Sequence, residues 1–347
     1  MVASVEPVTP VTGDRIGTPH RGRRHPVLAF VARRLLAAVL TLLAASILIY
    51  LAASVLPGNA AEVLLGRNAS PAAVHHLKVE LGLNRPLVDR YLSWLGGAVS
   101  GDFGRSAVAV AEGRPDSAIA ATLGRPLFNS AVLALITALL LVPLTLLFGM
   151  TAGVFAGRRL DYAISVPSLV FGGLPEFVSG TALIFLFFTV LGALPPVALL
   201  GATGSPFSYL NQLVLPVLTL LAVALGAGIR QVRSGMIDVL QEDFIRFARL
   251  NGVTDSRILL RYALRNALAP SVQIIAQNLQ YLVGGIIIVE SVFAYPGIGT
   301  YLVNAVQARD VGEVQAAAII LAAIYIVINI IADLVVVLLV PKLRTEL

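Results

Sequence analysis

The sequence predicts an all-α, polytopic membrane protein with six transmembrane helices. Its 347 residues are 57% hydrophobic and only 13% charged, and their mean hydropathy is +0.87, whereas a soluble domain holds about 25% charged residues. Several apolar runs reach about 20 residues or more, the length that a helix needs to cross a bilayer. This composition excludes a soluble protein as the main body of the chain.

The chain opens with a polar segment, residues 1–26, which contains four prolines and the basic cluster Arg21, Arg23 and Arg24. We predict that this segment is a disordered tail. A cleaved signal peptide is the rival interpretation. The apolar run that follows, 27–56, is too long for a signal peptide's hydrophobic region of about 7–15 residues and lacks a clear cleavage site. We therefore predict an uncleaved first span.

Six spans are predicted in one membrane domain that covers residues 27–347. The third span contains Pro167, Gly172, Gly173 and Pro175, a pattern that predicts a kinked or broken helix. The predicted spans are 27–56, 127–156, 162–191, 212–235, 267–291 and 314–340.

The first two spans are separated by a long loop, 57–126, which we predict to form a small helical cap on the outer face. Ser70, followed by proline, is typical of a helix N-terminus, and Gly82 is typical of a helix end. A second helix follows and ends at one of the glycines within 96–101. Trp94 is suited to anchor this region at the membrane interface.

The distribution of Lys and Arg predicts the orientation. On the N-terminal side of the membrane lie 17 of the 25 basic residues, and seven of the other eight lie in the loop 57–126. Cytoplasmic segments carry an excess of Lys and Arg, whereas long loops cross the membrane largely regardless of charge. We therefore predict that both termini are cytoplasmic. Topology then explains the net charge of +6 without a nucleic-acid partner.

The segment 236–266, here called the arginine-rich loop, is basic although apolar spans flank it. Gly252 predicts a break between two short helices, one over 242–250 and one that begins at residue 254 or 255. The five arginines of the loop are Arg246, Arg249, Arg257, Arg261 and Arg265.

Three residues of the first short helix, Phe244, Phe247 and Ala248, share one face by their spacing. A basic cytoplasmic helix with exposed aromatic residues could lie on anionic headgroups or could serve only to fix topology. It could also dock in a groove of a partner protein.

Glu176 falls near the middle of the third predicted span, where a charge costs about 2.5–3.5 kcal/mol on insertion scales. It must therefore face a wet cavity, have a partner or be protonated. Gln273, Gln277, Asn278 and Gln280 give the fifth span a polar side, which could line a path for a polar substrate or bond to other helices.

Two further acidic residues lie in the predicted spans. Asp333 follows Asn329 by one helical turn on the sixth span, and we expect both to form interhelical hydrogen bonds. Glu290 lies at the outer end of the fifth span. We expect it to anchor the turn at 295–299, where it could form part of an outer gate.

Several activities are excluded by missing motifs. The chain has no G-x-x-x-x-G-K-[ST] motif to hold ATP, and no cysteine. Its four histidines lack the spacing of a metal site, and no Ser-His-Asp constellation is indicated. We predict a non-enzymatic chain that binds no metal or cofactor of its own.

Three motifs resemble the membrane permeases of ATP-binding-cassette (ABC) importers. Residues 243–252 read D-F-I-R-F-A-R-L-N-G and 262–270 read Y-A-L-R-N-A-L-A-P. They are similar to D-Y-I-R-T-A-R-A-K-G and H-A-L-R-N-A-L-x-P in the cytoplasmic EAA loop of the dipeptide and oligopeptide permease branch. Residues 290–299 read E-S-V-F-A-Y-P-G-I-G, similar to that branch's E-x-V-F-x-x-P-G-[LI]-G. Shorter similarities, at 56–58, 80–86, 101–106, 175–180 and 329–333, extend the resemblance over about 28–345.

The resemblance implies the type I ABC importer fold and a place in the bacterial cell membrane. The chain would form half of a translocation pathway for di- or oligopeptides. Its implied partners are a homologous second permease, two cytoplasmic ATPase subunits that bind ATP and Mg²⁺, and an extracytoplasmic substrate-binding protein. The alternatives are a permease for nickel, glutathione or another solute, an ion-coupled transporter that uses Glu176 or Asp333, and a membrane anchor.

The resemblance and the polar residues together define two sets of candidate site residues. Contact with the ATPases is expected from Asp243, Phe244, Arg246, Phe247, Ala248, Arg249 and Gly252. The pathway or its gate is expected to involve Pro175, Glu176, Gln273, Gln277, Glu290, Pro296 and Gly297.

Overall fold

A computed structural model of the chain describes residues 26–55, 70–80, 82, 84–114, 117–201 and 204–339. The predicted tail before residue 26 and the similarity at 56–58 lie outside these residues. In chain order the helices are α1 (Pro26–Val55), α2 (Pro71–Glu80), α3 (Leu87–Ser100), α4 (Ala107–Ala111), α5 (Ile119–Val154), α6 (Arg159–Gly172), α7 (Glu176–Ile184), α8 (Leu210–Gln241), α9 (Asp243–Leu250), α10 (Asp255–Arg257), α11 (Leu264–Val292), α12 (Ile298–Gln307) and α13 (Val311–Leu339). Wider π-helical turns continue α7 over Phe185–Val190 and α10 over Ile258–Ala263.

The six predicted spans are present. Helices α1, α5, α8, α11 and α13 are each long and apolar enough to cross a bilayer, and α6 and α7, which meet at a bend of 111°, make up the sixth when the pair is taken as one span. The predicted break of the third span is confirmed, and it falls between Gly172 and Glu176. Because proline and two glycines meet there, the helix loses backbone hydrogen bonds and changes direction.

The second span begins earlier than predicted, at Ile119 rather than residue 127. The helix continues through Arg125 and Pro126. The Arg125 guanidinium donates hydrogen bonds to the backbone oxygens of Gly201 and Gly204 at 2.8 and 2.7 Å, so its charge has partners outside the apolar span. Helix α12 was not predicted.

Helix α8 lies at the centre of the bundle and packs against α5, α6, α7 and α11, while α1 lies at the periphery against α13. Small residues allow the closest approaches. A Cβ at Gly149 or Gly153 of α5 would meet the side chains of Val232 or Met236 of α8 at 2.6 Å. This is the small-residue packing that helices use inside membranes, where no hydrophobic effect drives them together.

The predicted outer cap contains three helices, α2, α3 and α4, in the part that the structure describes. Gly82 and Gly101 adopt positive φ angles of 65° and 84°, and α3 ends at Gly101, as the glycine pattern predicted. Trp94 packs against Tyr50 of α1, with 5.5 Å between their ring centroids. The cap is thus attached to the first span through aromatic contacts.

Candidate functional site

The arginine-rich loop is packed firmly onto the ends of two spans. Ile245 and Ala248 of α9 are buried together with Met236 at the end of α8, with Ile258, and with Ala263 just before α11. This cluster joins α9 to both neighbouring spans. A force on α9 would therefore be passed to α8 and α11.

The outward face of α9 carries the exposed apolar residues Phe244, Phe247 and Leu250, and we call it the bare face. Phe244 and Phe247 are exposed, Phe247 by 69%, and Leu250 by 86%. Ala248 was predicted to share this face, and that prediction is wrong, because Ala248 points inward beside Ile245. Exposed aromatic and aliphatic side chains at i, i+3 and i+6 are typical of a helix that docks in a groove.

Gly252 closes α9 in the predicted way. Its φ is +77°, its N–H donates to Arg249 O at 3.1 Å, and the N–H of Val253 donates to Ala248 O at 3.2 Å. These two bonds form a Schellman motif, which requires a left-handed residue at this position. A Cβ at Gly252 would meet no atom within 4 Å, so the need for glycine is conformational.

Gly252→Ala should destabilise the protein by about 1 kcal/mol, because alanine resists a positive φ. The control is Gly124→Ala within α5, where a Cβ also meets nothing and where alanine should stabilise the helix by about 0.5–1 kcal/mol. Unfolding by titration with SDS in detergent micelles measures both effects. Equal effects of the same sign would contradict this account of Gly252.

The charges of the loop lie around the bare face. Arg249 and Asp255 form an exposed ion pair across the Gly252 turn with 3.2 Å between Nε and Oδ1, and Arg246 lies 3.9 Å from Asp243. Exposed pairs of this kind add little stability. Arg257 and Arg261 are exposed as well. The surface of the loop around its apolar residues is therefore basic.

The break in the third span meets α11. Glu176 lies in the first turn of α7, directly after the exposed Pro175, and is buried. Its Oε1 accepts a hydrogen bond of 2.7 Å from the hydroxyl of Tyr281. A Cβ at Gly285 would lie 3.1 Å from the same oxygen, so this glycine leaves room for the carboxyl group. Glu176 therefore has a partner, one of the three alternatives set out above.

One face of α11 is left uncovered by the part of the chain that the structure describes. Its exposed residues, Gln273, Gln277, Tyr281, Gly284 and Ile288, follow the helical repeat. We call them the α11 stripe. Polar side chains occupy the half nearest the arginine-rich loop. Gln273 and Gln277 thus lie where a pathway could pass, whereas Asn278 is buried against other helices.

Glu290 holds the turn at 295–299 from a fully buried position. Its Oε1 accepts a hydrogen bond from Ser130 Oγ of α5 at 2.5 Å, and its Oε2 accepts one from the N–H of Gly299 at 2.7 Å. Ser130 Oγ in turn accepts the N–H of Ile298 at 2.8 Å. A Cβ at Gly297 would overlap the Glu290 carboxyl group. The predicted anchoring role is therefore confirmed.

The same turn is tied to α5 at a second point. Tyr295 donates its hydroxyl proton to Asn129 O at 2.7 Å, and Asn129 Nδ2 donates to Pro296 O at 2.8 Å. Burial raises the pKa of Tyr295, so its phenol stays protonated and remains the donor. Since Glu290 and Gly297 are buried, they fix α5, α11 and α12 together and do not line an open surface.

Two ion pairs were missed by the sequence reasoning. Asp161 of α6 is buried and accepts two bonds of 2.7 Å from Nε and Nη2 of Arg233 in α8. Arg34 of α1 lies 3.2 Å from Asp333 of α13. Charged residues near the ends of the predicted spans indicated that ion pairs could form. Which residues pair can be known only from the arrangement of the helices. Asp333 was expected to bond between helices, and it does so with an arginine.

Within the described residues, no group of three or more His, Asp and Glu side chains is placed to hold a metal ion. The candidate site therefore consists of three parts: the bare face of α9, the α11 stripe with the Glu176–Tyr281 contact, and the buried turn around Glu290.

Comparisons with known proteins cover nearly the whole chain. Residues 145–345 match the family model described as binding-protein-dependent transport system inner membrane component, and residues 27–146 match the model of its N-terminal part. The oligopeptide transport system permease protein AppB of Bacillus subtilis is 32% identical over 265 residues, which cover 76% of this chain and 82% of that protein. The probable D,D-dipeptide transport system permease protein DdpB of Escherichia coli is 34% identical over 288 residues, which cover 77% of this chain and 83% of that protein. A putative peptide permease protein of Brucella suis is 32% identical over 280 residues, which cover 79% of this chain and 85% of that protein.

Proposed function

The chain belongs to the family of binding-protein-dependent transport system inner membrane components, and from this premise we propose that it forms one half of the membrane channel of an ATP-driven peptide importer. It is a multi-pass protein of the bacterial inner membrane and acts as a transport component. Di- or oligopeptides are the proposed substrates, since the relatives are named for oligopeptides, D,D-dipeptides and peptides.

The observation that carries the proposal is the two-sided construction of α9. Ile245 and Ala248 fix one side to the spans, and Phe244, Phe247 and Leu250 leave the other side free for a partner. We place a cytoplasmic ATPase subunit on the free side. Two such subunits would bind ATP and Mg²⁺, a homologous permease would complete the channel, and an extracytoplasmic binding protein would deliver the peptide.

Motion of α9 would reach the pathway through α11. The cluster around Ile245 joins α9 to the start of α11, and the α11 stripe carries Gln273, Gln277 and Tyr281 further along the same helix. At the far end, Glu290 ties α11 to α5 and α12. Rotation of α11 as a unit would thus change which residues of the α11 stripe face the other half of the channel. Both termini would be cytoplasmic in this arrangement.

The cysteine-free chain offers a direct test. In the assembled complex, Gln277→Cys should react with a small maleimide reagent, and a transported peptide should slow that reaction several-fold. The matched control is Gln307→Cys, which is exposed on α12 and whose labelling the peptide should not affect. Unchanged labelling of Gln277→Cys in the presence of peptide during ATP turnover would contradict the proposed pathway.

A further inference from the structure

A cavity of about 330 Å³, lined by both polar and apolar groups, lies at the end of the bundle opposite the arginine-rich loop. Its walls come from Tyr50 on α1, from residues of α3 and of the segments on either side of it, Arg105 among them, and from Val311 and Gln315 at the start of α13. None of the roles proposed above uses this cavity.

The cavity is rich in hydrogen-bond donors and positive charge. Arg85 and Arg90 line it, and neither has a carboxylate within ion-pair distance among the described residues. The guanidinium group of Arg90 lies beside the hydroxyl group of Tyr50. The indole N–H of Trp94 is buried and has no acceptor within the described part of the chain. Asp102 also lines the cavity, but its Oδ1 already accepts the N–H of Gly104 at 2.9 Å.

Helix α3 contacts α1 well within the membrane-spanning part of α1. Tyr91 and Ser46 share a hydrogen bond of 2.8 Å between their hydroxyl groups, and the rings of Tyr50 and Tyr91 pack edge to face with 5.4 Å between their centroids. The apolar span of α1 ends at Ser54. At about 1.5 Å per residue, Ser46 lies about 12 Å and Tyr50 about 6 Å inside that end. Helix α3 therefore packs beside the apolar span of α1.

The face of α3 that points away from α1 is exposed and apolar. Val88, Leu92 and Val99 recur along one side of the helix and are exposed by 63%, 58% and 83%. An apolar stripe on one side of a helix, with Arg90 and Trp94 on the opposite side, is the pattern of a helix that lies in the interface of a bilayer. Beside the apolar span of α1, such a stripe fits acyl chains better than an aqueous protein partner.

We propose that α3 lies in the leaflet on its side of the membrane and that the cavity binds the phosphate group of an anionic phospholipid. Arg85, Arg90 and the Trp94 indole N–H supply donors that fit a phosphate oxygen. Val88, Leu92 and Val99 contact the acyl chains of the same leaflet. A headgroup without an ammonium group is preferred, because the two arginines would repel that group.

Trp94 is the only tryptophan of the chain, so the fluorescence of the purified full chain reports on the cavity directly. The experiment places the chain in nanodiscs that contain either phosphatidylglycerol or phosphatidylcholine with brominated acyl chains, each diluted into unlabelled phosphatidylcholine. Brominated phosphatidylglycerol should quench Trp94 several-fold more strongly. The preference should vanish in Arg85→Gln/Arg90→Gln and should persist in Arg114→Gln, whose arginine pairs with Glu112 and does not line the cavity.

Three results would overturn the proposal. Absence of quenching by both lipids would place α3 outside the bilayer and favour a protein partner. Equal quenching by both lipids in the wild type would show that the site does not prefer an anionic headgroup. A change in Trp94 emission on adding inorganic phosphate to phosphatidylcholine nanodiscs, as large as that from phosphatidylglycerol, would assign the site to a free anion. Circular dichroism of each variant establishes that it remains helical, and Arg90→Lys, which keeps the charge, should retain part of the preference.

Discussion

Glu290→Ala should destabilise the protein by about 3 kcal/mol or more, because it leaves two buried donors without an acceptor. The hydroxyl of Ser130 and the N–H of Gly299 both lose their carboxylate oxygens, and the removed side chain leaves a cavity. Titration with SDS in detergent micelles should show unfolding at a much lower SDS fraction. Peptide uptake should fall with it, since the turn at 295–299 would no longer be fixed to α5.

Two companion variants make the Glu290 result specific. Glu290→Gln keeps the volume but offers one amide that cannot accept from both donors, so its cost should be smaller, about 1–3 kcal/mol. Glu112→Ala removes an exposed glutamate and should change stability by less than about 0.5 kcal/mol. If Glu290→Ala were as mild as Glu112→Ala, the buried network would have no anchoring role.

Phe247→Asp should weaken binding of the ATPase subunits by about 30-fold or more, the loss typical of a central aromatic contact at a protein interface. Phe247 is mostly exposed, so the change removes no core contact and the spans should remain folded. Affinity purification of the membrane complex, followed by quantification of the ATPase subunits retained, measures the effect.

The control for Phe247→Asp is Val306→Asp, which introduces the same charge at an exposed apolar position on α12. This helix lies at the opposite end of the bundle, so ATPase retention should stay at the wild-type level. Equal retention by both variants would mean that the bare face of α9 does not contact the ATPase.

The sequence predicts the spans, the break in the third span and the glycine end of α9 because these depend on local chemistry. Gly252 terminates α9 through its own backbone conformation, and Pro175 with two glycines interrupts a helix wherever it lies. The anchoring role of Glu290 was also foreseen, since a buried carboxylate near the end of a span needs nearby backbone donors.

Partners that lie far away in the chain could not be predicted in this way. Ser130 lies 160 residues from Glu290, and Arg233 lies 72 residues from Asp161, so neither pair leaves a local pattern. Tyr281 was missed for the same reason. Ala248 was assigned to the wrong face because alanine fits both a buried and an exposed position, and only the packing of Ile245 against Met236 determines the rotation of α9.

The central claim is that ATP hydrolysis in partner subunits, transmitted through α9, drives peptide import through this chain. The most direct measurement is uptake of a labelled peptide into proteoliposomes that contain the chain with the proposed partner permease, ATPases and binding protein. We expect uptake that requires ATP on the α9 side, persists when ion gradients are collapsed and is lost in Phe247→Asp. Uptake without ATP that instead follows an ion gradient would contradict the claim and would favour an ion-coupled transporter.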